Sequence, residues 1–507
     1  MKQTLLSLRE RWHRPVPALP IDVFRVLVGL LSTAYFVHLA LQTGDISSPD
    51  GLIDHSLTRD IFWYTKMGLF QPGISANELR AIFSLAAAAS LALAAGWRPK
   101  LMAALMFVVA VSAYRWNFLV IYVDDAIMHL AIFWMLLLPI GRTLVLGNSD
   151  TDRWKSTLVP GGTVRAFMVS LTLVYVVAGM WKWTSPMWRS GTALFAALQT
   201  PVAWTPWIWS HDQLPLISIA DYTTLILEPA FPLMFVLRRN HPVKWGLLLM
   251  MIGFHVGIIA TMKVPYANIA CLAAIPVIFR EELMMFINGG REPAYKCVAS
   301  SRTCAVGSVA FVVVLSLAML GEAAVPAWRG PNRAEEAAIA QGRITRHAGF
   351  LGTQHNPMYL PLWGIGIAQS YRLFDWIDDR NFRVSYRVTE ARADGSARAV
   401  DPAEIFPGSI RGVLLQSYIH DVTWGSVPRE RADELKLALF ARFAHRYCKA
   451  HPYSGEVSVL ASVGRVSVDG PRPLPRATQL MRFSCVGSAE RLTFARLGHD
   501  RLASWKN

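Results

Sequence analysis

Long apolar runs separated by short polar breaks fill the chain to about residue 325, and there the pattern changes. A helix that crosses a bilayer needs about 20 apolar residues. By that measure, spans are expected at 21–42, 79–97, 100–116, 126–146, 163–181, 215–237, 243–262, 264–281 and 304–325. The stretch 101–140 is too long for one helix, and its polar centre, Arg115, Asn117, Asp124 and Asp125, predicts a fold-back at one membrane face. Beyond 325 the period shortens to two. Phe382, Val384, Tyr386 and Val388 alternate with Arg383, Ser385, Arg387 and Thr389, and Asp394-Gly395 is a hairpin-turn signal. Strands are also expected at 457–468, 479–486 and 491–496, with an amphipathic helix over 434–448 that puts Leu435, Leu439, Phe443 and Tyr447 near one face. The fold class predicted is a polytopic α-helical membrane domain of about nine transmembrane helices, followed by an extramembrane α+β domain with antiparallel sheet. Its divisions are an N-terminal segment 1–20, a membrane domain 21–325, and a last domain 326–507 large enough to bury its own core.

Composition agrees. The 507 residues are 53% hydrophobic, and 18 of them are tryptophans, whose rings favour the bilayer boundary. Mean hydropathy is +0.32, too apolar for an ordinary soluble chain. The net charge of +15 forms no stripe, so nucleic acid is not an expected partner. The basic residues gather in alternate loops (Arg98 and Lys100; Arg142, Arg153, Lys155 and Arg165; Arg238, Arg239 and Lys244), while the opposite loops carry Asp45, Asp50, Asp54 and Asp60. Positive-inside sorting then makes the N-terminus cytoplasmic and the last domain external. Residues 1–20 are basic and polar, and the first apolar run has no clear cleavage site, so no cleavable signal peptide is expected. Five cysteines without a CxxC spacing argue against a zinc site, and no metal is predicted. Cys448 and Cys485 share the external domain, as a disulfide or as free core thiols; Cys297 and Cys304 fall on the cytoplasmic side and are expected to stay reduced.

Ionisable residues within the apolar runs are the candidates for chemistry, because each is costly there unless paired or functional. They are Arg25, Asp125 and His129, Glu228, His255, and Lys182 at the end of the fifth run. Asp125 and His129 are four apart, so on a helix the carboxylate can orient the imidazole, in a catalytic or a purely structural pair. Glu228 precedes Pro229, and its carboxylate either attends to backbone groups freed by the proline or pairs with Arg25. His255 alone reads as a core histidine before a catalyst. Lys182, hemmed by Trp181, Trp183 and Trp188, is either an interfacial anchor or a desolvated amine able to act as a general base.

Ala178-Gly179, Lys182, Trp188 and Gly191, taken in order, resemble the membrane domain of vitamin K-dependent gamma-carboxylase and its bacterial relatives, the HTTM family. Phe24-Arg25-Val26 with Gly29, Arg115 before Asp124-Asp125, the run Leu138-Pro139-Ile140-Gly141-Arg142, Glu228 and His255 are similar to further pieces of that domain. Leu351-Gly352-Thr353-Gln354 with Met358-Tyr359 is similar to the external segment of the bacterial members. The resemblance covers about the first 325 residues and implies a multi-pass protein of a bacterial inner membrane with a periplasmic last domain. It implies that Lys182 is the base that deprotonates a reduced, vitamin K-like quinone, with Arg25, Arg115, Asp124, Asp125, His129, Trp188, Glu228 and His255 lining or supporting the pocket. The family places a histidine where this chain has Val123-Asp124-Asp125, which puts glutamate carboxylation itself in doubt.

Two function classes follow. One is a quinone-dependent, carboxylase-like enzyme. The other is a non-catalytic membrane protein for peptide or toxin export or immunity, whose external domain binds a peptide or protein partner. Ion-coupled transport is a third class, but there is no internal symmetry of the kind many transporters carry.

Overall fold

The computed structural model describes residues 10, 12–59, 63–147, 151–205, 209–290, 296–297, 302–329, 359–365, 367, 377, 382–391, 395–420, 429–470, 473–485 and 493–494. In chain order its main elements begin with β1 (Val16–Pro17), α1 (Leu19–Leu41), α2 (Ala76–Ala95), α3 (Pro99–Trp116) and α4 (Val123–Leu137). Then come β2 (Thr157–Val159), α5 (Gly161–Thr184), α6 (Leu214–Ala230), α7 (Pro242–Thr261), α8 (Pro265–Ala273), β3 (Lys296–Cys297) and α9 (Arg302–Arg329). The rest comprises β4 (Phe382–Ala391), β5 (Ala397–Val400), α10 (Ile410–Ile419), α11 (Arg429–Ala450), β6 (Glu456–Arg465), β7 (Thr478–Ser484) and β8 (Thr493–Phe494).

Helices stand in each of the nine expected places, and among the described residues four of them, α1, α2, α5 and α7, are long and apolar enough to cross a membrane. α4 is shorter than its run, and the runs that hold α6 and α8 are broken, for reasons that can be traced to particular residues. α4 stops at Leu137 because Pro139 follows and the Lys100 ammonium takes the carbonyls of Met135, Leu136 and Leu138. The run 215–237 divides at Phe231, between Pro229 and Pro232, and the run 264–281 divides at Ala274, just before Pro276. The predicted fold-back is present: α3 and α4 are joined through a short 3-10 turn, Phe118–Val120.

Close approaches hold the bundle together. A Cβ on Gly29 would lie 2.8 Å from the Ala94 backbone nitrogen, so only glycine lets α1 and α2 meet there. At the start of α1, Asp22 accepts the backbone N–H groups of Gly141, Arg142 and Thr143 at 2.5–2.8 Å and pairs with Arg25 at 3.1 Å. The Arg25 guanidinium in turn donates to the carbonyls of Leu93, Ala94 and Leu144. A small sheet, with β2 antiparallel to β1 and parallel to β3, ties the starting ends of α1, α5 and α9 together.

The C-terminal region is a five-stranded antiparallel sheet of order β5-β4-β6-β7-β8 with α10 and α11 packed against it. β6 alternates as its sequence demands, burying Val457, Val459, Ala461 and Val463. α11 buries Leu435, Leu439, Phe443 and Tyr447 on the expected face. Cys448 and Cys485 are joined in a disulfide. The same apolar cluster takes in Ile46, Leu52, Ile53, Leu119 and Val120 from loops of the helical bundle, so the two parts share a core. Asp60, Leu351, Gly352, Thr353, Gln354, Met358 and Asp394 lie outside the described residues, as do the side chains of Cys297 and Cys304.

Candidate functional site

Beyond Arg165 near its start, α5 carries no charge for about four turns and then places Lys182 on its last one, so burial of Lys182 needs a partner on a neighbouring helix. Gly179 makes that possible. A Cβ there would stand 3.0 Å from both Glu228 Cβ and Pro229 Cδ, so the missing side chain lets α6 touch α5 where its carboxylate sits. Lys182 Nζ donates to both carboxylate oxygens of Glu228, at 2.7 and 2.9 Å. The lysine is 1% exposed and the glutamate 2%. The ammonium also stands 5.2 Å from the Trp188 ring centroid.

This geometry corrects two expectations. Lys182 does not reach toward headgroups as an interfacial anchor, because it is buried in an ion pair. Glu228 does not pair with Arg25, which belongs to Asp22 near the other end of the bundle, nor does it serve the freed backbone. Pro229 has no N–H to give Leu225, and the Leu225 carbonyl is taken instead by the Trp183 indole at 3.0 Å. Gly191 has its own cause: its φ is +71° and a Cβ would meet Tyr222 Oη at 2.9 Å.

A cavity of about 40 Å3 opens beside the pair, walled by α4, α5, α6, α7 and α8, and Tyr175, Lys182, Glu228, His255 and Asn268 are among its lining residues. His255 Nδ1 faces Asn268 Oδ1 at 2.7 Å, and the Asn268 amide nitrogen is committed to the Val264 carbonyl. That assigns Nδ1 as the protonated nitrogen, leaving Nε2 to accept from the Tyr175 hydroxyl at 2.5 Å. Tyr175 is fixed by stacking on Phe231, with centroids 3.8 Å apart. His255 is therefore a satisfied, neutral member of a chain from α5 through α7 to α8. Tyr175 and Asn268 were not anticipated, although an asparagine inside the apolar run 264–281 was a signal available to read.

Compared with protein-family models, curated proteins and solved structures, the chain matches none.

The remaining candidates assemble elsewhere, at the fold-back. Asp125 accepts from the Tyr35 hydroxyl at 2.6 Å and from Arg411 of α10 at 2.7 and 3.2 Å. Arg411 also donates to the Val120 carbonyl at 3.1 Å and lies over the Tyr122 ring. Asp124 accepts the Ala267 N–H at 2.7 Å, in the first turn of α8. The expected Asp125–His129 pair is not formed: the carboxylate is given to Arg411, Tyr35 and the Tyr122 N–H, and the His129 ring lies 5.2 Å from Tyr114. Arg115 donates to the carbonyls of Met67 and Gly364. Arg411 lay beyond sequence reasoning, because nothing about one arginine among many in the last domain marks it as a partner for an aspartate 286 positions away.

Titration outside the bundle follows burial. The imidazole of His420, which meets the Tyr386 hydroxyl at 2.8 Å, is pushed down to about 3 by burial, with the Lys436 charge adding. His55, stacked on Trp116 at 4.1 Å, is pushed down to about 4 by burial, partly offset by its bond to Asn117. Among the described residues no group of three or more histidine, cysteine or acidic side chains could hold a metal ion.

Proposed function

We propose that this is an integral membrane protein of the carboxylase-like HTTM class in which Lys182 and Glu228 form a proton-handling site for a lipid-soluble acid, with reduced quinone the class the resemblance implies. The observation that carries the reading is the buried Lys182–Glu228 pair on the wall of a cavity shared with His255. A purely structural pair gains little in such a place, since taking two charges out of water offsets most of their attraction. One proton is shared between the two groups: as ammonium and carboxylate the pair is inert, and with the proton on Glu228 the Lys182 amine is free to accept another. Two hydrogen bonds to one carboxylate hold that amine in a fixed orientation, and Trp188 favours its protonated product.

The closed cavity does not accommodate a quinone. About 150 Å3 is what a benzene ring occupies in a protein core, whereas this space holds a water or so. Entry of any ring therefore requires α7 to move off α5. Glutamate carboxylation is left out of the proposal, because Asp124 and Asp125 stand where the family has its histidine and both are engaged in packing the fold-back.

The test separates chemistry from folding. Lys182→Ala leaves Glu228 buried without its partner and should cost about 3–5 kcal/mol of stability. Lys182→Met with Glu228→Leu removes both charges together and should recover most of that loss. If the double variant folds, inserts and still turns over quinone, or sustains the cellular phenotype of the intact protein, the pair is structural and the proposal fails. Expected is a folded protein with no turnover and no dependence on added reduced quinone.

A further inference from the structure

A second cavity, of about 450 Å3, lies about 10–15 Å along α7 from His255, at Trp245 and Leu248, and is independent of what Lys182 does. It sits between the first turns of α7 and the short helices Ile275–Ile278 and Arg280–Ile287. Its size is in the range of about 300–1,000 Å3 typical of small-molecule sites. Trp245, Leu248, Ile275, Phe279 and Leu283 give it an apolar wall, and two charged residues line it, Arg239 and Glu282.

Glu282 is the informative one. It is only 9% exposed, and its Oε1 is taken by the Lys244 ammonium, which also stands 4.6 Å from the Phe279 ring centroid. Its Oε2 is buried and has no hydrogen-bond partner. A buried carboxylate oxygen left unmatched costs free energy that a donor in the cavity would recover. Arg239 is exposed at the rim and offers the opposite chemistry, a fork of N–H groups suited to a phosphate. Phe286 of the cavity lining is exposed, as are the apolar side chains of Val236 and Val243, which flank Arg239 in the chain, and of Leu249, next to Leu248, as on a face against lipid.

We propose that this cavity binds the headgroup of phosphatidylethanolamine drawn from the surrounding bilayer. The ammonium donates to Glu282 Oε2, the phosphate accepts from Arg239, and the first methylenes of the acyl chains cover the apolar wall. Phosphatidylcholine carries the same charges but has no N–H to donate, so Oε2 stays unmatched beneath it. The hydroxyls of phosphatidylglycerol donate without the charge assistance of an ammonium, which makes them the weaker partners.

The experiment is native mass spectrometry of the full chain in detergent micelles, with chain-matched phosphatidylethanolamine, phosphatidylcholine and phosphatidylglycerol added in equal amounts. One phosphatidylethanolamine should be retained about tenfold over either competitor, the worth of one charge-assisted hydrogen bond. Glu282→Gln should abolish that preference. Because this change also strips Lys244 of its counter-charge, Arg239→Gln at the exposed rim provides a second variant, which should lower retention of phosphatidylethanolamine without disturbing the fold. Equal retention of the three lipids, a preference that survives Glu282→Gln, or full retention by Arg239→Gln would each overturn the assignment. So would displacement of the lipid by an equal concentration of O-phosphoethanolamine, since the apolar wall would then contribute nothing. The readout is lipid retention rather than turnover, so its failure leaves the Lys182 reading untouched.

Discussion

His420 and His55 are the residues whose burial can be felt in solution. Both carry folded-state values, about 3 and about 4, below the ordinary 6.5 of an imidazole. As pH falls, the unfolded chain therefore takes up protons before the folded one does. Stability from these sites is complete above pH 6.5 and drains away as pH drops toward 4 and then 3. Each site contributes a slope of up to about 1.4 kcal/mol per pH unit. Thermal unfolding of the purified protein should move to lower temperature between about pH 6.5 and about pH 4, and His420→Gln should flatten the part of that slope due to this site. Another pair marks what reading single positions can achieve. Lys182 and Glu228 stood out because each is an isolated charge in an apolar run. That they meet could not be read, since 46 positions separate them and only the close approach at Gly179 brings the helices together. Asp22 went unnoticed although it lies one helical turn from Arg25, because an acid in the first turn of a helix looks ordinary.

Elements were easier to read than their ends. The strand β6 and the helix α11 follow their period-two and period-3.6 patterns closely, whereas β7 buries Leu480 and Met481 side by side where its pairing with β6 shifts register. Span ends were misjudged where prolines and a lysine intervene, as at Leu137 and Phe231, because hydropathy averages over the residues that break a helix. β5 and α10 were missed; β5 is four residues long and α10 mixes polar with apolar positions. α10 matters most, since Arg411 in its first turn is the counter-charge for Asp125 in the first turn of α4. Arg411→Gln should cost about 3–5 kcal/mol, because it leaves a buried carboxylate uncompensated. Arg411→Met combined with Asp125→Leu should cost much less. Unfolding in detergent, followed by the accessibility of Cys271, buried in α8, to a thiol reagent, would tell the two outcomes apart.

On the scale of the whole molecule, the division into a helical bundle and a sheet-containing C-terminal part was visible in the change of hydrophobic period near residue 325. What the pattern could not convey is that the two parts share a core, because the loops concerned, around Ile46, Ile53 and Val120, are too short to look like anything but connections. The small sheet adds a check on topology. β1, β2 and β3 gather the starts of α1, α5 and α9 at one end, so the two of these helices long and apolar enough to cross a membrane, α1 and α5, start together there. The disulfide closes a loop of 37 residues between the end of α11 and the end of β7. Cys448→Ser with Cys485→Ser should lower the stability of the C-terminal part by about 2–4 kcal/mol, measured as a fall in its unfolding temperature. One further consequence concerns the neighbouring acids of α4. Asp125 is gripped by the C-terminal part, while Asp124 holds the first turn of α8, the helix that anchors His255 through Asn268. A single turn of α4 thus ties the C-terminal part, through Asp125, to the helix that orients the cavity's histidine, through Asp124.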